Sequence, residues 1–216
     1  MRLPIWAIRY LLATAALAAL VGCTNELAEP EDSAAPLRVR LMTGEQYVNT
    51  IAQIFGQDVA DAVLPPLPPL ARTDGLLASG ATFVGVTSDQ VSQIQQTASF
   101  IAAKVVDEEH RGFLIPCAPV SPDKADPDCA TQFLKEAGRL LYRQPLDENQ
   151  VSALVDVADE AANTTGDFYD GLAIALETIL VSPSVLFIVD RAEPDPGNPG
   201  EMRLDAWSLA SRLSFF

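Results

Sequence analysis

Apolar side chains recur at helical spacing in three successive segments between residues 131 and 191. An apolar stripe at positions i, i+3 or i+4 and i+7 predicts an amphipathic helix that buries the stripe in a core. Pro145 disfavours helix at the residue before it, so the first helix should end by Arg143. Gly166 and Pro183 end the second and third helices. The predicted buried faces are Phe133, Leu134, Ala137, Leu140 and Leu141; Val151, Leu154, Val155 and Ala158; and Phe168, Leu172, Ala175, Leu176, Ile179 and Leu180.

Polar residues that accept hydrogen bonds from free backbone N–H groups mark the starts of further helices. Thr43 and Asp147 each precede a glutamine by three residues, which is the spacing of a capping box. Thr87 and Asp205 also open helices. The sequence therefore predicts an all-α fold, an irregular bundle of about six helices that follows a signal peptide and a tether. The additional apolar faces are Tyr47, Ile51, Ile54 and Phe55, with Gly56 as the stop; Val91, Ile94, Ala98, Ile101 and Val105; and Trp207, Leu209 and Leu213.

The N-terminal residues have the layout of a bacterial export signal. Arg2 and Arg9 precede an apolar run of about a dozen residues, which is shorter than the roughly 20 residues of a membrane-spanning helix. The run ends in Leu-Val-Gly before Cys23, which looks like a lipobox whose cysteine becomes diacylated. We therefore predict a lipoprotein signal peptide at 1–22, lipidation of Cys23 and a flexible acidic tether at 23–36; a plain cleaved signal peptide is the alternative. This predicts a lipid-anchored protein of the bacterial cell envelope, on the periplasmic or outer surface.

Two cysteines remain beyond the export signal. Cys117 and Cys129 lie in a loop rich in Pro and Asp, and in an exported protein such a pair most simply forms a disulfide. Covalent haem attachment needs Cys-x-x-Cys-His, and neither cysteine is followed by a histidine. We therefore expect no cofactor on this chain.

Three motifs, AGRLLYRQPLD, ILVSPSVLFIVDR and RLDAWSLASRLSFF, resemble helical domains of unknown function in planctomycete-type exported proteins. Such domains often share a chain with c-type cytochrome modules, so the resemblance implies these modules as candidate partners. It implies no settled activity. The matching positions are Arg139, Arg143, Pro145 and Leu146; Ser182, Pro183 and Leu186; Leu204, Asp205, Leu209, Ala210, Ser211, Arg212, Leu213 and Ser214; and, more weakly, Leu41, Tyr47, Asn49 and Gly56.

These signals divide the chain beyond the tether into three parts. We predict an N-terminal helical region at 37–110, a central helical domain with the disulfide loop at 111–191, and the start of a further, apparently truncated helical domain at 192–216. The proline-rich run at 64–70 is interpreted as a stiff connector, and the segment at 80–85 as a turn or short strand.

Acidic side chains are abundant, but few of them have the spacing of metal ligands. The formal net charge is −15, so nucleic acid and anionic lipid headgroups should be repelled. Residues 107–110, with three carboxylates and His110, are interpreted as a solvated helix end because no second histidine completes a common metal site. Asp123, Asp126 and Asp128 do not have the spacing of an EF-hand loop and are interpreted as an acidic surface loop. We therefore predict no metal site.

Two classes of function stay open. The first is a non-catalytic, lipid-anchored helical module of a larger exported, cytochrome-associated protein or assembly. The second is the N-terminal part of an exported hydrolase or oxidoreductase. No Gly-x-Ser-x-Gly occurs and a nucleophilic serine would depend on His110, whereas carboxylate-pair chemistry stays open. No residue is therefore predicted to be catalytic. We expect Arg139 or Arg143 to have a structural role, paired with an acid such as Asp190 or Asp205.

Overall fold

Six helices of nine or more residues form most of the fold in the computed structural model, which describes residues 39–61, 67 and 86–215. Three shorter helices and four three-residue strands complete this part of the chain. The helices are α1 (Gly44–Phe55), α2 (Gln57–Asp61), α3 (Ser88–Val106), α4 (Arg111–Leu114), α5 (Pro127–Leu141), α6 (Glu148–Thr165), α7 (Phe168–Leu180), α8 (Pro183–Leu186) and α9 (Ala206–Ser214). The strands are β1 (Val39–Leu41), β2 (Phe187–Val189), β3 (Ala192–Pro194) and β4 (Met202–Leu204).

Several sequence features lie outside the described residues. These are the predicted signal peptide, Cys23, the tether, the segment at 80–85 and the proline-rich run except Leu67, whose side chain is buried in the core. None of the described helices is both long and apolar enough to cross a bilayer.

The predicted helix boundaries depend on local hydrogen bonds, and the structure contains these bonds. Thr43 and Asp147 form complete capping boxes with the glutamines three residues later, and Thr87 does the same. Asp205 accepts a hydrogen bond from the backbone N–H of Ser208 at the start of α9. Gly166 ends α6 in the left-handed conformation, with φ 73°, which is cheap only for glycine.

Helix α7 lies at the centre, packed against α3, α5 and α6. Gly171 allows the close approach of α6 and α7, because a Cβ atom there would collide with the carbonyl oxygen of Ala158 and the side chain of Ala162. One hydrophobic core draws residues both from 41–106 and from 115–188, so the two helical regions predicted at 37–110 and 111–191 share it.

Five residues of the predicted apolar faces are exposed instead: Val91, Leu140 and, on α9, Trp207, Leu209 and Leu213. Val91 lies in the first turn of α3, on a shallow apolar groove that also contacts Ile174 of α7. Leu140 lies at the edge of the α5 stripe, where the helix surface turns from the core towards solvent. Helical periodicity locates a face but does not determine how wide a part of it the neighbouring helices cover.

Two small antiparallel sheets depart from the predicted all-α fold. Strand β1 pairs with β2 in the register Val39↔Val189, and β3 pairs with β4 in the register Ala192↔Leu204. The second pair lies within 192–216, where we predicted the start of a further helical domain. Three-residue strands are too short to show the alternating pattern by which a strand is recognised in sequence.

Candidate functional site

A polar groove of about 190 Å³ lies where the end of α5, the α8–β2 segment and α9 meet, and we call it the α9 groove. None of the described residues that line it is acidic, although the chain contains 29 acidic residues. All three sequence motifs contribute to its wall. The lining residues are Tyr142, Arg143, Gln144, Ser184, Phe187, Val189, Arg191, Trp207, Ser208 and Ser211.

Arg143 anchors one side of the groove through backbone carbonyls and not through an acid. Its Nη1 donates to the carbonyl oxygen of Val185 at 3.1 Å, and its Nη2 donates to those of Ser184 and Phe187 at 2.9 Å each. Burial, together with a smaller effect of the nearby charge of Arg40, lowers the pKa of Arg143 to about 10. Its backbone has φ 59°, an uncommon conformation for a residue other than glycine. Arg143 therefore ties the turn after α5 to α8 and β2.

The acid that we predicted as a partner of Arg139 or Arg143 binds another arginine. Asp190 accepts two hydrogen bonds from Arg212, at 3.1 Å from Nε and 2.6 Å from Nη2, and these raise the pKa of Arg212. Arg139 instead makes an exposed ion pair with Glu136 on the same helix, at 2.6 Å. The predicted pairing was therefore wrong, because Asp190 leaves β2 on the side that faces α9.

The other motif residues have local structural roles. Ser182 accepts a hydrogen bond from the backbone N–H of Ser184 and so caps α8, whose first residue is Pro183. Asp205 caps α9, and Pro145 is exposed in the turn between α5 and α6. The motif residues therefore place α8 and α9 against the end of α5, which is the arrangement that creates the α9 groove.

Polar groups without a partner also line the α9 groove. The buried Ser211 Oγ has no hydrogen-bond partner in the described structure. In the same part of the chain, the Gln144 amide makes no hydrogen bond and the exposed Arg191 guanidinium makes no ion pair. Trp207 adds an indole that is 46% exposed. The sequence did not single out Gln144 or Arg191, and it marked Ser211 only as a position of the third motif, since these residues join the groove only through tertiary packing.

His110 lies in a second cluster of titratable groups, and it is not part of a solvated helix end as predicted. The residue is only 3% exposed, its Nδ1 lies 2.6 Å from Asp107 Oδ1, and its Nε2 lies 2.8 Å from Asp58 Oδ2. Carboxylates only accept hydrogen bonds, so both ring nitrogens donate and the imidazole is held as a cation. The hydrogen bond to Asp107 raises the pKa of His110.

The carboxylates near His110 differ in their exposure and partners. The hydrogen bond from His110 lowers the pKa of Asp58; at Asp107, burial acts to raise the pKa, but the hydrogen bonds from His110 outweigh it. Glu108 and Glu109 are exposed, as expected for a solvated helix end. In the described residues, no group of three or more His, Cys, Asp or Glu side chains has the arrangement of a metal site.

Cys117 and Cys129 form the predicted disulfide, with an S–S distance of 2.07 Å and a Cα–Cα distance of 5.6 Å. The bridge pins the loop after α4 to the first turn of α5. Asp126 caps the same helix: it accepts hydrogen bonds from the backbone N–H groups of Cys129 and Val120, and these lower its pKa. The carboxylate of Asp126 is therefore occupied by hydrogen bonds from the backbone.

Residues 129–190 match a family described as "PSD5: Protein of unknown function (DUF1595)". The matched segment runs from the disulfide through α5, α6, α7 and α8 to the end of the β1–β2 sheet. No curated protein and no solved structure matches the chain significantly. The match identifies the central helical region as a domain of unknown function.

Proposed function

We propose that this protein is a lipid-anchored, exported, non-catalytic helical module that docks into a larger envelope assembly. The outer face of α9 is the observation that carries the proposal. Leu209 and Leu213, one helical turn apart, are 50% and 66% exposed, whereas the polar Ser208 is buried. A helix that turns its apolar residues outward offers a contact surface to another protein.

The export signal and the disulfide support the proposed location. The Leu-Val-Gly-Cys23 sequence has the form of a lipidation site. The Cys117–Cys129 bridge suits an oxidising compartment outside the cytoplasm. In this proposal, Cys23 holds the helical body at a membrane and the acidic tether separates the two.

The geometry of His110 disfavours the alternative, an exported hydrolase that uses acid–base chemistry. His110 is the single histidine of the chain, and both of its ring nitrogens are occupied by carboxylates in a buried position. A general base needs a nitrogen within hydrogen-bond reach of substrate. The serines of the α9 groove have no such base among the residues that line it.

The resemblance to exported proteins that carry cytochrome modules suggests a c-type cytochrome as the partner. The chain contains no Cys-x-x-Cys-His, so covalently bound haem that is purified with it belongs to another protein. The test is affinity purification of the full chain from native membranes, followed by the haem absorption spectrum. We expect haem with the wild type and little haem with the variant Leu209→Ser/Leu213→Ser.

Val120→Ser is the matched control, because Val120 is exposed in the loop between α4 and α5, outside α9, and its substitution should not affect recovery of haem. Absence of haem from the wild-type preparation would contradict the proposed partner. Anchoring is tested separately by metabolic labelling with a palmitate analogue. The label should be incorporated by the wild type and not by Cys23→Ala, and equal labelling of both would contradict the lipid anchor.

A further inference from the structure

Two arginines, Arg143 and Arg191, line the α9 groove, and none of the described lining residues is acidic. Arg40 on β1, Arg143 after α5, and Arg212 on α9 lie close enough for their charges to interact, and Arg191 follows β2. Asp190 is paired with Arg212 and also attracts Arg40. This excess of positive charge stands out in a chain whose net charge is −15. It favours the binding of an anion.

The charge of Arg40 repels those of Arg143 and Arg212. Burial lowers the pKa of Arg40, Asp190 acts in the opposite direction, and the charge of Arg212 lowers it again. Arg143 has no carboxylate partner within the described part of the chain, and its guanidinium is occupied by carbonyl oxygens. Asp205 accepts a hydrogen bond from the start of α9. An anion in the groove would reduce this repulsion.

The unpaired groups of the groove indicate which anion fits. The planar guanidinium of Arg191 makes no ion pair in the described structure, so it can donate two parallel hydrogen bonds to a carboxylate. Gln144 and Ser211 supply donors and acceptors suited to hydroxyl groups. Trp207 supplies an apolar face on which a ring can lie. The volume of about 190 Å³ is below the roughly 300–1,000 Å³ of drug-sized pockets, which limits the ligand to a single ring.

We propose that the α9 groove binds a carboxylate carried on a six-membered ring, most simply a hexuronate sugar, with the carboxylate on Arg191 and the ring against Trp207. This site does not depend on the lipid anchor or on the docking of α9. Arg143 holds the wall of the groove in place, while Arg191 makes the contact that selects a charged ligand over a neutral one.

The fluorescence of Trp207 provides a direct measurement. The chain has two tryptophans, and Trp6 lies in the predicted signal peptide, so Trp207 is the only indole of the processed protein. The full chain in detergent is titrated with galacturonate, with galactose as the neutral match and with benzoate as an aromatic acid. We expect a saturable change with galacturonate and at least about tenfold weaker binding of galactose, because a charge-assisted bidentate pair is lost.

Substitutions then test the role of Arg191. Arg191→Met should weaken galacturonate binding by about tenfold or more, and Arg191→Lys should restore part of it. Arg203→Met is the matched control, because Arg203 pairs with Glu193 outside the groove and its loss should leave binding unchanged.

Two results would overturn the proposal: no saturable change with either acid, or equal affinity for galacturonate and galactose. Tighter binding of benzoate than of galacturonate, with the same dependence on Arg191, would support the carboxylate site and identify an aromatic acid as its ligand. Urea unfolding of each variant shows that a loss of binding does not come from a loss of fold, since Arg191 is exposed.

Discussion

Replacing Arg143 with methionine should destabilise the protein strongly, although the side chain makes no salt bridge in the described structure. The guanidinium donates to three carbonyl oxygens, of Ser184, Val185 and Phe187. Helix α8 is a single turn, so the carbonyls of Ser184 and Val185 have no partner within it. Methionine has a similar length but donates no hydrogen bond. It also keeps a Cβ atom, so the substitution leaves the strain of the left-handed backbone at residue 143 unchanged.

The expected loss follows from the three hydrogen bonds and from the cost of burying the charge. Hydrogen bonds to charged groups contribute about 1.5–3 kcal/mol each, but three on one side chain do not add. Removing the buried cation also recovers part of its desolvation cost. We therefore expect the free energy of unfolding to fall by about 3 kcal/mol. With a urea m-value of about 2 kcal/mol/M, the midpoint should fall by about 1.5 M.

The assay is equilibrium unfolding in urea, followed by far-UV circular dichroism. Arg139→Met is the control, because it removes an arginine from the last turn of α5, four residues before Arg143, but breaks only an exposed ion pair with Glu136. Its midpoint should equal that of the wild type. An unchanged midpoint for Arg143→Met would refute the reasoning and would favour a ligand-binding role for this arginine.

Two further perturbations test the disulfide and the buried histidine. The double variant Cys117→Ser/Cys129→Ser should lose about 3 kcal/mol of stability in urea unfolding. In the unreduced wild type, both cysteines should resist alkylation. Alkylation of both would contradict the bridge. Because the pKa of His110 is raised in the folded state, its contribution to the free energy of unfolding is complete below the ordinary pKa of about 6.5 and is lost as the pH rises through the folded-state pKa. The lowered pKa values of Asp58 and Asp107 predict that stability is also lost towards acidic pH. The urea midpoint should therefore fall between pH 5.5 and pH 9 in the wild type but much less in His110→Gln, and equal falls would count against this assignment.

The sequence alone determined the long helices, because their ends depend on hydrogen bonds between residues three or four positions apart. The side chains of Asp147 and Gln150 each accept a hydrogen bond from the backbone N–H group of the other residue. Gly166 ends α6 because glycine adopts the left-handed conformation at little cost. The sequence also predicted the buried stripe of α7, and all six of its residues are buried in the structure. The disulfide was predictable because the chain beyond the export signal contains only two cysteines.

Tertiary structure decided the partners of the charged side chains. His110 meets Asp58 across 52 positions, Arg143 reaches carbonyls more than 40 positions away, and Arg212 takes the acid that had seemed available to Arg143. Each of these choices depends on how helices pack, because a charge binds whichever group the fold brings within about 3 Å. Local sequence carries no information about that distance. For the same reason the α9 groove, with walls from three separate segments, exists only in the folded chain.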